Sequence, residues 1–144
     1  MWTVKTFSEL STLELFHIYR LRNEVFIVEQ ECVYQDIDDI DLKATHLMIW
    51  QANQLIAYCR IYNDEVYHIG RVIVERTHRN KQLGRQLLTE ALRIISQENT
   101  ETVIQISAQA HLEHFYESVG FQRISDVYLE DDIPHILMVK NKDT

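Results

Sequence analysis

A chain of 144 residues, 46% hydrophobic and 25% charged, has the profile of one soluble globular domain spanning residues 1–144, long enough to bury a core without staples. No apolar run approaches the roughly 18 residues of a membrane span. Met1-Trp2-Thr3-Val4-Lys5 also lacks a secretory leader's layout, so a cytoplasmic setting with reduced Cys32 and Cys59 is expected. The net charge of −8 argues against general nucleic-acid binding, which needs clustered cations.

In chain order, Trp2 to Phe7 reads as a strand. Ser11 followed three residues later by Glu14 forms a capping box that opens a helix through about Phe26, striped by Leu15, Tyr19, Arg22 and Phe26. Ile27 to Leu42 reads as an irregular acidic segment with Asp36, Asp38, Asp39 and Asp41. Strands follow over Thr45–Ala52 and Leu55–Tyr62, joined by a hairpin at Asn53-Gln54, and a turn at Asn63-Asp64-Glu65 leads into Val66–Glu75. Both faces of these strands are apolar, which implies a sheet covered on both sides. The longest periodic helix runs from about Asn80 to Glu98, with Leu83, Leu87, Ala91 and Ile94 on one stripe. Thr102–Ala108 is a strand, and His111–Val119 a short helix ended by Gly120 in a left-handed conformation. Phe121–Tyr128 and His135–Lys140 close the sheet. The order β-α-β-β-β-α-β-α-β-β predicts an α+β fold, a mixed α/β sandwich.

Charge is not evenly spread. Arg71, Arg76, Arg79, Lys81 and Arg85 put five of the fourteen Lys/Arg residues within fifteen positions, opposed there only by Glu75. This basic stripe falls where a strand, Ile69 to Val74, passes through a short loop into a helix. A helix N-terminus offers unpaired N–H groups and a positive dipole end, and Gly84 lets an anion approach the backbone closely. An ordinary solvated helix start is the alternative.

At these residues the chain resembles the GNAT acetyltransferases. Arg79-Asn80-Lys81-Gln82-Leu83-Gly84 is similar to their Gln/Arg-x-x-Gly-x-Gly/Ala acetyl-CoA motif, and Phe115-Tyr116-Glu117-Ser118-Val119-Gly120-Phe121 to their late Phe-Tyr-Glu-x-x-Gly-Phe element. Leu21-Arg22-Asn23-Glu24-Val25-Phe26, Gln109-Ala110-His111-Leu112 and Asp131-Asp132-Ile133-Pro134-His135 look like the ElaA-type branch, so the resemblance covers nearly the whole chain. It implies the GNAT fold, a twisted mixed sheet flanked by helices with acetyl-CoA wedged between two splayed strands. It also implies acetyl transfer to a primary amine by direct attack. Backbone groups of Val72, Ile73 and Val74 would pair with the pantetheine arm, and N–H groups of Asn80, Lys81, Gln82, Leu83, Gly84 and Arg85 would cradle the pyrophosphate. Gln109 would touch the cofactor, and Tyr116 would be the general acid for the departing thiolate.

Two positions depart from the family pattern. Gln82 replaces the first motif glycine. Where relatives carry a glutamate base, this chain has Ile104 or His68, so the resemblance transfers no side-chain base; His68 is a candidate, with a half-buried strand residue as the alternative. Glu29 and His111 are candidates for the acceptor side. The Asp36–Asp41 run is expected to be either a solvated loop or an acidic lip attracting a protonated amine. His111-x-x-His114 has no third ligand at suitable spacing, so no metal is expected. The acceptor is a small-molecule or peptide amine, with no nucleic-acid or membrane partner expected; oligomeric state is not legible. A non-catalytic acyl-CoA binding or sensing module is the alternative function.

Overall fold

The computed structural model describes residues 1–99 and 103–141; Thr102, the expected start of one strand, lies outside them. Strand β1 (Trp2–Thr6) precedes helix α1 (Thr12–Arg22). The capping box forms: Ser11 Oγ accepts from Glu14 N at 3.0 Å, and Glu14 Oε1 accepts from Ser11 N at 2.8 Å. The helix does not continue regularly to Phe26. From Asn23 to Glu29 it widens into a π-helical segment, where Cys32 N reaches back five residues to Ile27 O at 3.1 Å. A one-turn helix α2 (Ile40–Lys43) then leads into β2 (Thr45–Gln51), β3 (Gln54–Asp64) and β4 (Val66–Val74). The β2–β3 turn falls on Ala52-Asn53, one residue earlier than expected, with Ala52 at φ 54°.

Helix α3 (Leu83–Glu98) starts three residues later than its periodicity suggests, because Asn80 (φ 66°) and Gln82 (φ 65°) are left-handed and cannot be helical. Strand β5 (Ile104–Gln109) and helix α4 (Glu113–Ser118) follow. Gly120 takes φ 102°, and a Cβ there would come within 3.0 Å of the Lys140 side chain. The expected strand Phe121–Tyr128 is two short pieces, β6 (Gln122–Arg123) and β7 (Tyr128–Glu130), both paired with β8 (Ile133–Lys140). Ser125 causes the break: its hydroxyl, and not a backbone carbonyl, accepts from Leu137 N at 2.9 Å.

The sheet runs β1-β2-β3-β4-β5-β8-β6, with β7 also on β8. Every pairing is antiparallel except β4–β5, which is parallel and limited to Tyr67↔Ile104 and His68↔Gln105. Beyond those pairs the strands diverge. The sheet is covered on both faces. On one, Leu87, Leu88, Ala91 and Ile95 of α3 and Tyr116 of α4 pack against Ile106, Ala108, Ile136 and Met138. On the other, Ile18, Leu21 and Val25 pack against Met48, Tyr58 and Ile73. No helix among the described residues is long and apolar enough to cross a membrane.

Candidate active site

The divergence of β4 and β5 opens a cleft of about 930 Å³, within the usual range for small-molecule sites. The β3–β4 register shows why β4 peels away. Arg60 faces Gly70 and Tyr58 faces Ile73, so Arg71 and Val72 stand opposite Cys59 alone, with Arg71 at φ 49°. This is a β-bulge. Glu75 N donates to Ile56 O of β3 at 2.8 Å, so strand alternation turns the backbone of Val72 and Val74 the other way, toward the cleft. Val74 O is already occupied, accepting from Arg79 Nε at 3.0 Å.

At the far end of β4 the chain climbs into α3. Asn80, Gln82, Leu83, Gly84 and Arg85 line the cleft, whereas Lys81 is exposed outside it. Gln82, at the motif's glycine position, sits at φ 65°, the region glycine occupies freely and other residues enter at a cost of about 1–2 kcal/mol. The loop therefore keeps the glycine geometry without the glycine. Gly84 has a second duty beyond leaving room for an anion: a Cβ there would stand 3.3 Å from Phe115 Cζ and 3.8 Å from a Val74 methyl. Its lack of a side chain lets α3 close onto α4.

The basic stripe is partly neutralised. Arg79 forms a bidentate pair with Glu29, at 2.6 and 3.0 Å, and that hydrogen bonding holds the Glu29 carboxyl below the usual range. Arg71 turns to Asp36 at 2.8 Å. Arg85 donates to Ser118 Oγ at 2.8 Å, and Lys81 forms no ion pair among the described residues, so these two keep uncompensated charge near the α3 start, whereas Arg76 stands outside the cleft with Glu29 and Glu75. Such an arrangement suits an anion at the loop.

Tyr116 lines the middle of the cleft from α4, 5% exposed, its ring edge-on to Phe115 and Phe121. Burial pushes its phenol well above the usual value, so it holds a proton throughout the neutral range. Gln109 and His111 also line the cleft. His68 does not. It pairs with Gln105 before the strands part, and its ring stacks on Tyr62 at 4.8 Å, which sets it apart from the cleft residues.

The acidic run is neither a solvated loop nor a lip. Arg22, fully buried on α1, donates to Asp36 at 2.9 Å and to Asp41 at 2.7 Å; Arg60 donates to Asp38 at 2.6 Å and Asp41 at 2.9 Å. Burial alone would raise the Asp38 and Asp41 carboxyls, but hydrogen bonds and charge from Arg60 and Arg22 outweigh it and hold both below the usual range. Only Asp39 of the four stays exposed. One signal for this was present: an arginine on the core stripe of α1 needs buried carboxylates, and Asp36–Asp41 is the dense supply. The network pins the segment that carries Tyr34 to the cleft wall. Phe26, from the Leu21–Phe26 block, lines the cleft, as do Tyr34 and Ser107, which had no motif to mark them.

The acetyltransferase (GNAT) domain family matches residues 8–142. Protein ElaA of Escherichia coli is 41% identical over 145 residues, covering 96% of this chain and 95% of that one, and its crystal structure superposes with a TM-score of 0.94 over 98% and 99% of the two chains. An acyl-CoA N-acyltransferase structure from Pseudomonas aeruginosa is 42% identical, with a TM-score of 0.92 over 97% and 99%. An aminoglycoside 6'-N-acetyltransferase crystallised with coenzyme A shares the fold at 12% identity, with a TM-score of 0.74 over 97% of each chain. A strand pair splayed beside a loop and helix start, found in a chain with these relatives, leads to one assignment: this protein belongs to the GNAT acetyltransferase family.

Proposed function

We propose that this chain, working as one domain over residues 1–144, transfers an acetyl group from acetyl-CoA to the nitrogen of a primary amine by direct attack. The observation that carries the reading is the two-pair β4–β5 seam, which leaves the Val72 and Val74 backbone facing a cleft bounded by the α3 loop and Tyr116. When bound, acetyl-CoA supplies an activated thioester carbonyl. Strand N–H groups on the cleft edge of β4 would hold its pantetheine arm, and the turn from Asn80 to Arg85 its pyrophosphate. Tyr116, kept protonated by burial, would give its proton to the departing sulfur. Gln109 fits a role at the cofactor and His111 one at the acceptor, both from positions on the cleft wall. Glu29 acts through Arg79, steadying the loop. The two free cysteines suit a reducing, cytoplasmic compartment.

Calorimetry with acetyl-CoA, followed by a panel of small-molecule and peptide amines with free thiol as readout, tests this. Binding together with amine-dependent thiol release supports the reading. Binding without turnover would favour an acyl-CoA sensing module, and no affinity at millimolar concentration would remove both.

A further inference from the structure

Most carboxylates around the acceptor end of the cleft are already matched to arginines: Glu29 to Arg79, Asp36 to Arg71 and Arg22, Asp38 to Arg60. Glu130 is different. It lines the cleft half-exposed, and among the described residues it has no arginine or lysine partner. Its neighbours form a connected set. Tyr128 OH lies 2.5 Å from Ser107 Oγ, Ser107 Oγ donates to Glu130 Oε1 at 3.0 Å, and His135 Nε2 stands 3.6 Å from Glu130 Oε2.

The imidazole is held in one tautomer. His135 Nδ1 lies 2.7 Å from Ile133 O, and since a carbonyl can only accept, Nδ1 carries the hydrogen. Neutral His135 therefore presents a lone pair at Nε2, beside Glu130 and on a side chain only 9% exposed. Strand register places this set on the α1 face: His135 is opposite Gln109, and Ser107 and Gln109 alternate with the core residues Ile106 and Ala108. The thioester would reach this face through the same cleft that Tyr116 lines from the other.

We propose that Glu130 binds the ammonium group of a primary alkylamine and that His135 Nε2 takes its proton, an inference that rests on the acetyl-transfer function above. One N–H bond of the ammonium breaks and its proton goes to Nε2. The freed lone pair forms the N–C bond at the thioester carbonyl carbon as the C–S bond breaks, and Tyr116 gives its proton to sulfur. The second proton shed by nitrogen restores Tyr116 through solvent, and His135 returns its proton to solvent. The titratable and charged groups around His135 are Tyr128 and Glu130 of β7, Asp131 of the turn, His111 after β5 and, across the cleft, Tyr34, Arg71 and the Glu29–Arg79 pair.

The test combines spectroscopy and kinetics. Histidine 13C–1H spectra, with the His135 signal assigned by its loss in His135→Asn, are followed while CoA-saturated protein is titrated with butylammonium and spermidine. A saturable shift of the His135 signal is expected in the wild type and is expected to vanish in Glu130→Gln. In turnover, Glu130→Gln should raise the acceptor KM about tenfold or more without changing that for acetyl-CoA. His135→Asn, whose amide can keep the bond to Ile133 O, should lower turnover about 10²-fold at pH 7. That deficit should close as pH approaches the amine's own pKa, about 10.4. An unresponsive His135 signal, or an active wild type whose variants keep its acceptor KM and pH profile, overturns the inference. A wild type that releases no thiol with any amine overturns the parent function instead, and the His135 signal still decides this one.

Discussion

The two faces of the sheet are held by opposite means. Against α3 and α4 the contacts are hydrocarbon: Leu87, Leu88, Ala91 and Ile95 on Ile106, Ala108, Ile136 and Met138. Against α1, beside a smaller apolar patch, three arginines and three aspartates interlock, with Arg22 fully buried and Asp41 shared between Arg22 and Arg60. Apolar burial is non-directional and supplies most of the folding free energy. A buried ionic network contributes less net stability, because desolvation offsets most of the attraction, but its directional bonds fix where each partner sits. The first face anchors the start of α3 and the loop before it; the second sets the wall that carries Tyr34.

The largest effect expected is on the ionic face. Arg22→Met takes from Asp36 and Asp41 one of the two arginines each is paired with, leaving Arg71 and Arg60, and should cost about 3–5 kcal/mol in urea unfolding. Leu88→Ala, on the apolar face, should cost about 2–5 kcal/mol. What separates them is acid: the Arg22→Met deficit should shrink below about pH 4, where Asp41 protonates and loses its pull on the arginines, while the Leu88→Ala deficit should not. Equal behaviour at both pH values would show that the network is not the determinant described.

Next in size is Tyr116→Phe, which removes a hydroxyl from the apolar side of the cleft. Steady-state turnover should fall about 10²–10⁴-fold with CoA affinity retained; unchanged turnover would mean that another group protonates the thiolate. At Gly84, two variants divide packing from charge. Gly84→Ala should weaken CoA binding modestly, since its methyl meets Phe115 at 3.3 Å and the ring must yield. Gly84→Asp adds a carboxylate at the α3 start and should weaken binding much further in calorimetry. Equal affinities would assign the glycine to packing alone.

The smallest effect is a pH slope. Burial lowers the pKa of His46, whose Nε2 donates to Asp41 O at 3.0 Å while Tyr58 OH donates to Nδ1 at 2.6 Å. A depressed folded pKa contributes stability that is present above the unfolded value, about 6.5, and lost as pH falls through the folded one. Asp38 and Asp41, also depressed, lose theirs below about pH 3.9. Urea midpoints should therefore be level from pH 8 to 7, decline below about 6.5 and fall more steeply below 4. A profile level down to pH 5 would contradict the His46 environment.

The apolar face was the legible one. The α3 stripe and the Gly120 turn follow from periodicity and glycine chemistry, and the loop that leads into α3 along the cleft from a motif. The left-handed Gln82 was foreseeable as a substituted glycine, but not the Asn80 conformation that delays α3. The ionic face hid because its partners lie 14 to 22 residues apart or more, and spacing along a chain carries no record of a side chain reaching across a sheet. Asp36–Asp41 looked solvated for that reason. His68 was named from its offset to the end of β4, a position that falls before the strands separate.

The two-pair seam between β4 and β5 has a consequence for amide hydrogen exchange. Along most strands, neighbouring amides are protected together from both sides. Past His68, β4 keeps a partner only on the β3 side, so Ile73 and Glu75 should exchange slowly while Val72 and Val74, facing the cleft, exchange fast. The strand should show a period-two pattern of protection. Acetyl-CoA should slow the fast set alone, making the ligand measurable as the sheet's missing strand.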